Sequence, residues 1–312
     1  MEDIWFWVIF NAVIIVLLMC DLFLFHRKSH EVKVKEALWI SAFWIGLAFL
    51  FNIFIYHSRG VDSALNFLTA YLVEKALSVD NLFVFLLIFT YFKVPKEYEH
   101  KVLFWGVLGA IIMRAAFILF GIALVQQFHW VLYIFGAFLV YTGIRLGLEK
   151  DKEINPEDNP IVKFARRLFP VTKEYDADNF FVVKAGKLFV TPLFIVLIAI
   201  EATDVIFALD SIPAVIGITT DPFIVYTSNI LAILGLRSLY FALSHLMTLF
   251  HYLHYGLSFI LVFIGVKMLI AGFIHIPIFV SLSIILFTLF ITILASIYSP
   301  KKNGANGDVV KK

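Results

Sequence analysis

The chain reads Glu74-Lys75-Ala76-Leu77-Ser78-Val79-Asp80-Asn81 inside an apolar run that extends from residue 63 to residue 92. A second apolar run holds a similar stretch, Asp204-Val205-Ile206-Phe207-Ala208-Leu209-Asp210-Ser211, with Glu201 about one helical turn ahead of it. In each stretch an acid is followed six residues later by Asp and then by a small polar residue. Ionisable side chains are costly at bilayer depth, so a repeated pair of acids there indicates a functional site.

The composition places the chain among membrane proteins. Its 312 residues are 62% hydrophobic and only 15% charged, and 35 of them are Phe. The net charge of +2 gives no indication of nucleic-acid binding. A single cysteine, Cys20, excludes an intrachain disulfide and any site that needs several thiolates, such as an iron–sulfur cluster. The acidic start Met1-Glu2-Asp3 predicts a retained first span and not a cleavable signal.

Apolar runs long enough to cross roughly 30 Å of hydrocarbon predict nine membrane spans. We place them at residues 4–25, 37–57, 63–92, 102–127, 129–149, 189–218, 222–246, 252–273 and 277–298. Lys and Arg gather after the first, third and fifth spans and in the C-terminal tail, whereas only Arg59 lies between the second and third. Because basic loops stay in the cytoplasm, the N-terminus is expected outside and the C-terminus inside. The fold class is therefore an all-α polytopic membrane protein.

Three polar landmarks recur in the same order in two parts of the chain. They are Asp80 with Asp210, Arg114 with Arg237 and Arg145 with Lys267, at offsets of 210 − 80 = 130, 237 − 114 = 123 and 267 − 145 = 122. Spans three to five thus match spans six to eight. Because three is odd, the second unit enters the membrane from the opposite side. This predicts an inverted-topology repeat, which in secondary transporters places the substrate site near the midplane between the halves.

The repeat divides the single membrane domain of residues 1–312. The parts are two N-terminal helices (1–62), repeat one (63–149), a cytoplasmic linker (150–188), repeat two (189–273) and a last helix with a cytoplasmic tail (274–312). A small hairpin is expected near residues 180–190. Spans three and six run to about 30 residues, more than the hydrocarbon core requires, so each is either tilted or broken. Pro213 leaves the carbonyl of Leu209 without its helical donor, which favours a break there.

The polar residues of the two acid motifs offer oxygen ligands alone. Hard divalent ions such as Mn²⁺, Mg²⁺ and Ca²⁺ prefer this set, and the absence of His and Cys from the motifs disfavours zinc and copper. An octahedral site with two to four carboxylates is expected. The candidate ligands are Glu74, Asp80, Asn81, Glu201, Asp204, Asp210 and Ser211.

Five basic residues of the repeats balance the five acids in number. An unpaired charge at the centre of a span costs roughly 2.5–3.5 kcal/mol, so most of these groups must pair or face water. Arg145 and Lys267 lie toward the ends of their spans and are expected to snorkel. Arg114 and Arg237 lie deeper, at matching positions, and together with Lys75 are the candidate counter-ion or gating residues. Because a bound cation displaces protons from buried carboxyl groups, protons are possible co-substrates.

The sequence resembles the TerC/Alx family of integral membrane proteins over nearly its whole length, and the Alx-like branch most. The residues that carry the resemblance are Glu74-Lys75-x-Leu77-Ser78-Val79-Asp80-Asn81-x-Phe83-Val84-Phe85 and Glu201-x-x-Asp204-Val205-x-Phe207-Ala208-x-Asp210-Ser211-Ile212-Pro213-Ala214, with Thr219-Thr220-Asp221-Pro222-Phe223-Ile224, Ser228-Asn229 and Leu236-Arg237. The resemblance implies a multi-pass protein of the bacterial inner membrane, related to cation exporters and implicated in manganese export. It also implies the same seven metal positions.

The family takes its name from tellurite resistance, but an acid-rich site repels oxyanions, so the residues favour a cation. The leading hypothesis is an exporter of divalent cations, with Mn²⁺ as the transported ion and no permanently bound cofactor. The alternative is an assembly or scaffold protein whose buried ion pairs are structural. An intramembrane enzyme is disfavoured, because the chain lacks a His-Glu-x-x-His zinc motif and a Gly-x-Ser-x-Gly elbow. Partners are expected to be the cation, protons and lipid, without nucleic acid.

Overall fold

The structure is a computed structural model that describes residues 2–25, 34–148, 162–163, 167, 170–172, 174–184, 186–244, 252–274 and 276–298. Within its helices, the side chains at positions 2, 3, 20–25, 34, 80 and 244 lie outside this description. Much of the predicted linker (150–188) and most of the C-terminal tail also lie outside the described residues.

Ten helices and one two-stranded hairpin make up the described chain. The first five helices are α1 (Glu2–Phe25), α2 (Val34–Arg59), α3 (Val61–Phe92), α4 (Lys96–Gln127) and α5 (Val131–Leu148). The hairpin follows, with β1 (Phe181–Lys184) and β2 (Lys187–Val190). The chain continues through α6 (Pro192–Ile216), α7 (Pro222–Ile233), α8 (Leu236–Ser244), α9 (Leu253–Ile270) and α10 (Ile278–Tyr298).

Six of the described helices, α2, α4, α5, α6, α9 and α10, are long and apolar enough to cross a membrane, and α7 with α8 makes a seventh if the pair is one bent span. The described apolar stretch of α1, Ile4–Met19, is shorter, and α3, whose Asp80 side chain lies outside the description, is not in that count. The chain is therefore a predominantly helical, multi-pass membrane protein, and the count of nine crossings stays a prediction.

The sequence favoured a break in the third or sixth span, but the described helices bend at a different place, between α7 and α8. Both α3 and α6 are continuous, and α6 includes Pro213 in its last turn, where the Pro213 carbonyl accepts a bond from Gly217 N. The span predicted at residues 222–246 consists of two helices, α7 and α8, which meet at a bend of 42°. Gly235 at the bend has φ +81°, a left-handed conformation that glycine adopts without steric penalty. Trp44 of α2 fills the side on which a larger residue would place its Cβ.

The three most extensive helix–helix contacts are those of α5 with α9, α4 with α6, and α3 with α7. The α5–α9 pair is the closest, because glycines let the backbones touch. A Cβ on Gly136 would lie 2.9 Å from the carbonyl oxygen of Gly265, and a Cβ on Gly265 would lie 2.6 Å from that of Gly136. We refer to this contact as the α5–α9 glycine seam.

Aromatic side chains attach α1 to α2 and α7. The Trp7 and Phe223 rings lie 5.4 Å apart, and the Tyr226 hydroxyl donates to Asn11 Oδ1 at 2.7 Å. Arg59 at the end of α2 pairs with Asp221 at 3.2 Å and lies over the Phe223 ring. Asp221 also caps α7 by accepting bonds from the first backbone N–H groups of that helix. The end of α2 and the start of α7 thus lie on the same side of the helix bundle.

The segment before α6 contacts the opposite side of the bundle. Lys101 near the start of α4 pairs with Asp178 at 3.0 Å, and the Tyr175 hydroxyl donates to the carbonyl of Phe92 at the end of α3. Burial raises the pKa of Tyr175 to about 12, so its phenol remains a donor at neutral pH. The hairpin expected near residues 180–190 is confirmed, with Phe181 opposite Val190.

Candidate functional site

One buried arginine gathers acids from two helices. Arg114 of α4 is fully buried, and its guanidinium binds Asp204 of α6 through two bonds, Nη2 to Oδ1 at 3.0 Å and Nε to Oδ2 at 3.1 Å. Its Nη1 forms an ion pair with Glu74 of α3 and donates to Ser211 Oγ at 3.3 Å. We call Arg114, Glu74, Asp204 and Ser211 the Arg114 cluster. It joins both acid motifs at one point in the interior.

Helix geometry explains why these side chains meet. Asp204 and Ser211 are seven residues apart, which is two helical turns, so both lie on the face of α6 that packs against α4. Glu74 comes from α3, which also packs against α6. A planar guanidinium has five N–H donors, enough to bind two carboxylates and a hydroxyl at once. With both acids ionised, the cluster carries a charge of −1.

The cluster leaves one carboxylate oxygen of Glu74 unsatisfied. Glu74 is fully buried, and its Oε2 has no hydrogen-bond partner among the described residues. A buried acceptor without a donor is unfavourable unless a proton, water or cation supplies the missing interaction. The Arg114 cluster therefore has a net negative charge and one unsatisfied oxygen that a proton, a water molecule or a cation can bind.

Glu201 lies one turn before Asp204, but among the described residues no hydrogen bond joins it to Arg114. Its carboxylate fits against Gly109 of α4, where a Cβ on residue 109 would collide with the Glu201 oxygens. Its Oε2 is buried without a hydrogen-bond partner in the described structure. Gly109 thus supplies the space that Glu201 occupies between the two helices.

Asp210 lies on α6 and is directed at α5, near Thr142 and Arg145. Its Oδ1 is a further buried oxygen without a partner among the described residues. Asn81 on α3 is buried, whereas Asp80 lies on α3 with its side chain outside the description. The meeting of Asp80 and Asp210 therefore stays a prediction.

The seven predicted ligands are distributed over several positions. Glu74, Asp204 and Ser211 share Arg114, Glu201 contacts α4, and Asp210 contacts α5. Among the described side chains, no three His, Cys, Asp or Glu residues come close enough to hold a metal ion. Because Arg114 holds two of the carboxylates, a cation that binds them must first compete with its guanidinium.

The three predicted counter-ions have different environments. Arg114 pairs with acids, as described. Lys75 instead donates from Nζ to the carbonyls of Ala232 at 3.0 Å and Leu234 at 3.4 Å, at the end of α7. Arg237 lies on α8 with its Cζ 6.0 Å from the Phe104 ring, beside a cavity of about 40 Å³. Arg114 and Arg237 match in the sequence, but they lie on different helices beside different side chains.

Sequence reasoning missed two residues of this region, Gly109 and Gly235. Both lie in apolar helical runs, where an isolated glycine is uninformative by itself. The only signal for Gly109 was its position five residues before Arg114, on a helix that had to approach the acid motifs. Gly235, two residues before Arg237, carried no signal that distinguished a bend from close helix packing.

Comparison with known proteins identifies relatives along nearly the whole chain. A Myxococcus xanthus protein named "Uncharacterized membrane protein STKORF319" is 49% identical over 291 residues, covering 93% of this chain and 91% of its own. The Escherichia coli K12 protein named "Putative membrane-bound redox modulator Alx" is 48% identical over 288 residues, covering 89% and 90%. The Salmonella typhi protein of that name is 47% identical over 296 residues, covering 92% of both chains.

No solved structure matches this chain. The sequence profile of the integral membrane protein TerC family matches residues 59–304, a range that includes both acid motifs and Arg114. The resemblance carried by those motifs is confirmed, and the chain belongs to the TerC family of integral membrane proteins.

Proposed function

We propose that this protein exports divalent metal cations, with Mn²⁺ as the principal substrate, across the bacterial inner membrane in exchange for protons. The observation that carries the proposal is the convergence of Glu74 and Asp204, one from each acid motif, on the buried Arg114. Ionisable groups at this depth are found mainly on ion and proton pathways. Their ligand atoms are oxygens, which Mn²⁺ and other hard divalent cations prefer.

In the proposed cycle, the cation and the Arg114 guanidinium compete for the same carboxylates. Glu74 has an unsatisfied Oε2, so a cation can approach it before Arg114 is displaced. Glu201, one turn from Asp204, and Asp210 offer further oxygens along the same helix. When the cation leaves, protons or the guanidinium neutralise the acids again. Metal release and proton uptake are then linked through the same groups.

An inverted repeat of α3–α5 and α6–α9 is part of the proposal, and paired contacts in the glycine seam support it. The offset of 122 aligns Gly143 with Gly265 and Val140 with Val262. A Cβ on Gly143 would lie 2.8 Å from Val262 Cγ2, and a Cβ on Gly265 would lie 2.9 Å from Val140 Cγ2. The packing of α3 on α7 likewise corresponds to the packing of α6 on α4. Such exchanged pairs are what a two-fold relation between the halves produces.

Nine crossings, with the N-terminus outside and the C-terminus in the cytoplasm, complete the proposal. The Arg59–Asp221 pair and the Lys101–Asp178 pair lie on opposite sides of the bundle. The positive-inside pattern assigns the Lys101 side to the cytoplasm.

The test is metal uptake into proteoliposomes for a series of divalent ions, with and without a pH gradient. Glu74→Gln and Asp204→Asn should each abolish most Mn²⁺ uptake, while Asp178→Asn, an exposed acid in an ion pair, should leave it unchanged. Uptake of Mn²⁺ that is equal in all four proteins would refute the proposed site. No uptake by the folded wild type for any ion would refute the transport proposal itself.

A structural role is the competing function, because a buried Arg–carboxylate pair can also serve folding. If the protein is an assembly or scaffold factor, its function should persist in the Glu74→Gln, Asp204→Asn double variant, provided that this variant is as abundant in the membrane as wild type. A redox role, which the name of the Escherichia coli relative indicates for that protein, would have to proceed here without an intrachain dithiol, because Cys20 is the single cysteine.

A further inference from the structure

At the end of α7, the ammonium group of Lys75 binds backbone carbonyls that have no helical donor. The last carbonyls of a helix lack intrahelical partners, and their partial negative charge attracts cations. Here α7 stops at Ile233, and the bend at Gly235 separates it from α8. The carbonyls of Ala232 and Leu234 both accept from Lys75 Nζ. A single charged group from α3 therefore binds two carbonyls at the end of α7, directly before the bend.

The bend has a second support that fixes its position. Trp44 of α2 is buried, and its Cβ, Cγ and Cδ1 lie 2.7–2.8 Å from where a Cβ on Gly235 would be. The indole ring therefore packs against the bare backbone of Gly235 on one side. This contact with Trp44 supports the bend independently of the Lys75 ammonium group.

The other acid motif lacks both the lysine and the bend. Aligning Glu74 with Asp204 places Val205 opposite Lys75. The helix aligned with α7 and α8 is α4, which runs unbroken from Lys96 to Gln127. The lysine thus occurs only in the motif that faces a broken helix. A general role in balancing the acid motifs does not explain this difference, since both motifs carry acids.

We propose that the Ala232 and Leu234 carbonyls form a cation site that Lys75 occupies with its own ammonium, and that K⁺ or Na⁺ occupies this site when the lysine side chain is shortened. The site is separate from the one proposed for the exported metal, because its ligands are neutral carbonyls. Rings and clusters of backbone carbonyls are the usual ligands of monovalent cations in membrane proteins. Removal of the lysine side chain beyond Cβ leaves room for an ion with bound water.

The test is thermal unfolding of the full-length protein in detergent, in choline chloride, NaCl or KCl at equal ionic strength. Wild type should unfold at the same temperature in all three salts. Lys75→Ala should unfold at a lower temperature in choline chloride and recover by about 5 °C in saturating KCl or NaCl. Lys75→Met should be destabilised without recovery, because its long apolar side chain fills the space without a charge.

The proposal would be overturned if Lys75→Ala unfolded at the same temperature in the three salts. It would also be overturned if KCl or NaCl raised the unfolding temperature of wild type or Lys75→Met as much as that of Lys75→Ala. If Lys75→Ala does not fold, Lys75→Cys in a Cys20→Ser background replaces it. Modification of that thiol with an aminoethyl methanethiosulfonate restores a positive charge, and methyl methanethiosulfonate adds a neutral group. The aminoethyl form should be as insensitive to K⁺ and Na⁺ as wild type, whereas the unmodified Lys75→Cys protein should recover stability in both salts. The methylthio form, which matches Met in length, should be destabilised without recovery. An equal salt response of the unmodified and aminoethyl forms would refute the proposal.

Discussion

Arg114 is the residue on which the interior charges depend. It is fully buried and contacts two carboxylates, and removal of one partner from a buried ion pair typically costs about 3–5 kcal/mol because a charge is left uncompensated. Lysine retains the positive charge but cannot bind Asp204 through two parallel bonds. Charge and geometry should therefore contribute separately to stability at this position.

We expect Arg114→Gln to lower the free energy of unfolding by about 3 kcal/mol or more, and Arg114→Lys to lower it by less. Thermal and denaturant unfolding in detergent measures both. Lys101→Gln, which removes an exposed ion pair with Asp178, is the matched control and should change stability by less than about 1 kcal/mol. An Arg114→Gln protein as stable as Lys101→Gln would contradict the assigned role.

Gly109 tests the fit of Glu201 between α4 and α6. Gly109→Ala should weaken stability, because the new Cβ collides with the Glu201 carboxylate. Combining it with Glu201→Ala should recover part of the loss, so that the two effects are not additive. Gly46→Ala on α2, where no atom lies within 4 Å of the new Cβ, is the control and should be neutral. Full additivity of the double variant would mean that the two residues do not interact.

The acid motifs could be identified as a site from the sequence, because acids in apolar runs are rare and repeated ones rarer. The residue with which each charged side chain pairs could not be identified from the sequence. Arg114 and Arg237 have the same sequence context, yet Arg114 joins acids from α3 and α6 whereas Arg237 lies near the Phe104 ring. Lys75 binds carbonyls that become acceptors only because α7 ends at the bend. Pairing inside a helix bundle depends on helix rotation and on local breaks, which hydrophobic sequence specifies weakly.

Among the helices, the bend between α7 and α8 is the feature that most distinguishes the two halves. Gly235 has φ +81° and is enclosed by Trp44, whereas Gly60 before α3 has φ +86° and open space around it. The two glycines have nearly the same φ but different surroundings. Substitution at both therefore separates backbone strain from steric exclusion.

Gly60→Ala should cost about 1–3 kcal/mol through its positive-φ, extended backbone alone. Gly235→Ala should cost more, because the new Cβ also displaces Trp44. Unfolding in detergent compares the two variants, and Trp44→Ala with Gly235→Ala measures how much of the difference Trp44 causes. If Gly60→Ala and Gly235→Ala lose the same stability, Trp44 does not restrict the bend.

Helix boundaries followed from the sequence better than helix shape did. Asp221-Pro222 predicts the start of a helix, and α7 begins there with Asp221 as its cap. Pro213 favoured a break in α6, yet it lies in the last turn, where Gly217 still bonds its carbonyl. A proline near a helix end removes one bond that the end would soon lose anyway.

For the whole molecule, the two surface ion pairs define sides that accessibility can distinguish. Ser58 near Arg59 and Lys184 in β1 are both exposed. In a Cys20→Ser background, Ser58→Cys should react with an impermeant thiol reagent in intact cells, and Lys184→Cys should react only after permeabilisation. Equal labelling of both cysteines in intact cells, or the reverse order, would contradict the proposed orientation. Denatured, fully labelled samples control for expression.

The α5–α9 glycine seam has a mechanical consequence. With backbone against backbone at Gly136 and Gly265, no side chain is available to lengthen or reorient as the helices separate. The contact can therefore roll or slide but cannot open by rotamer changes. A bulky residue at either glycine would force the two helix backbones apart along this line.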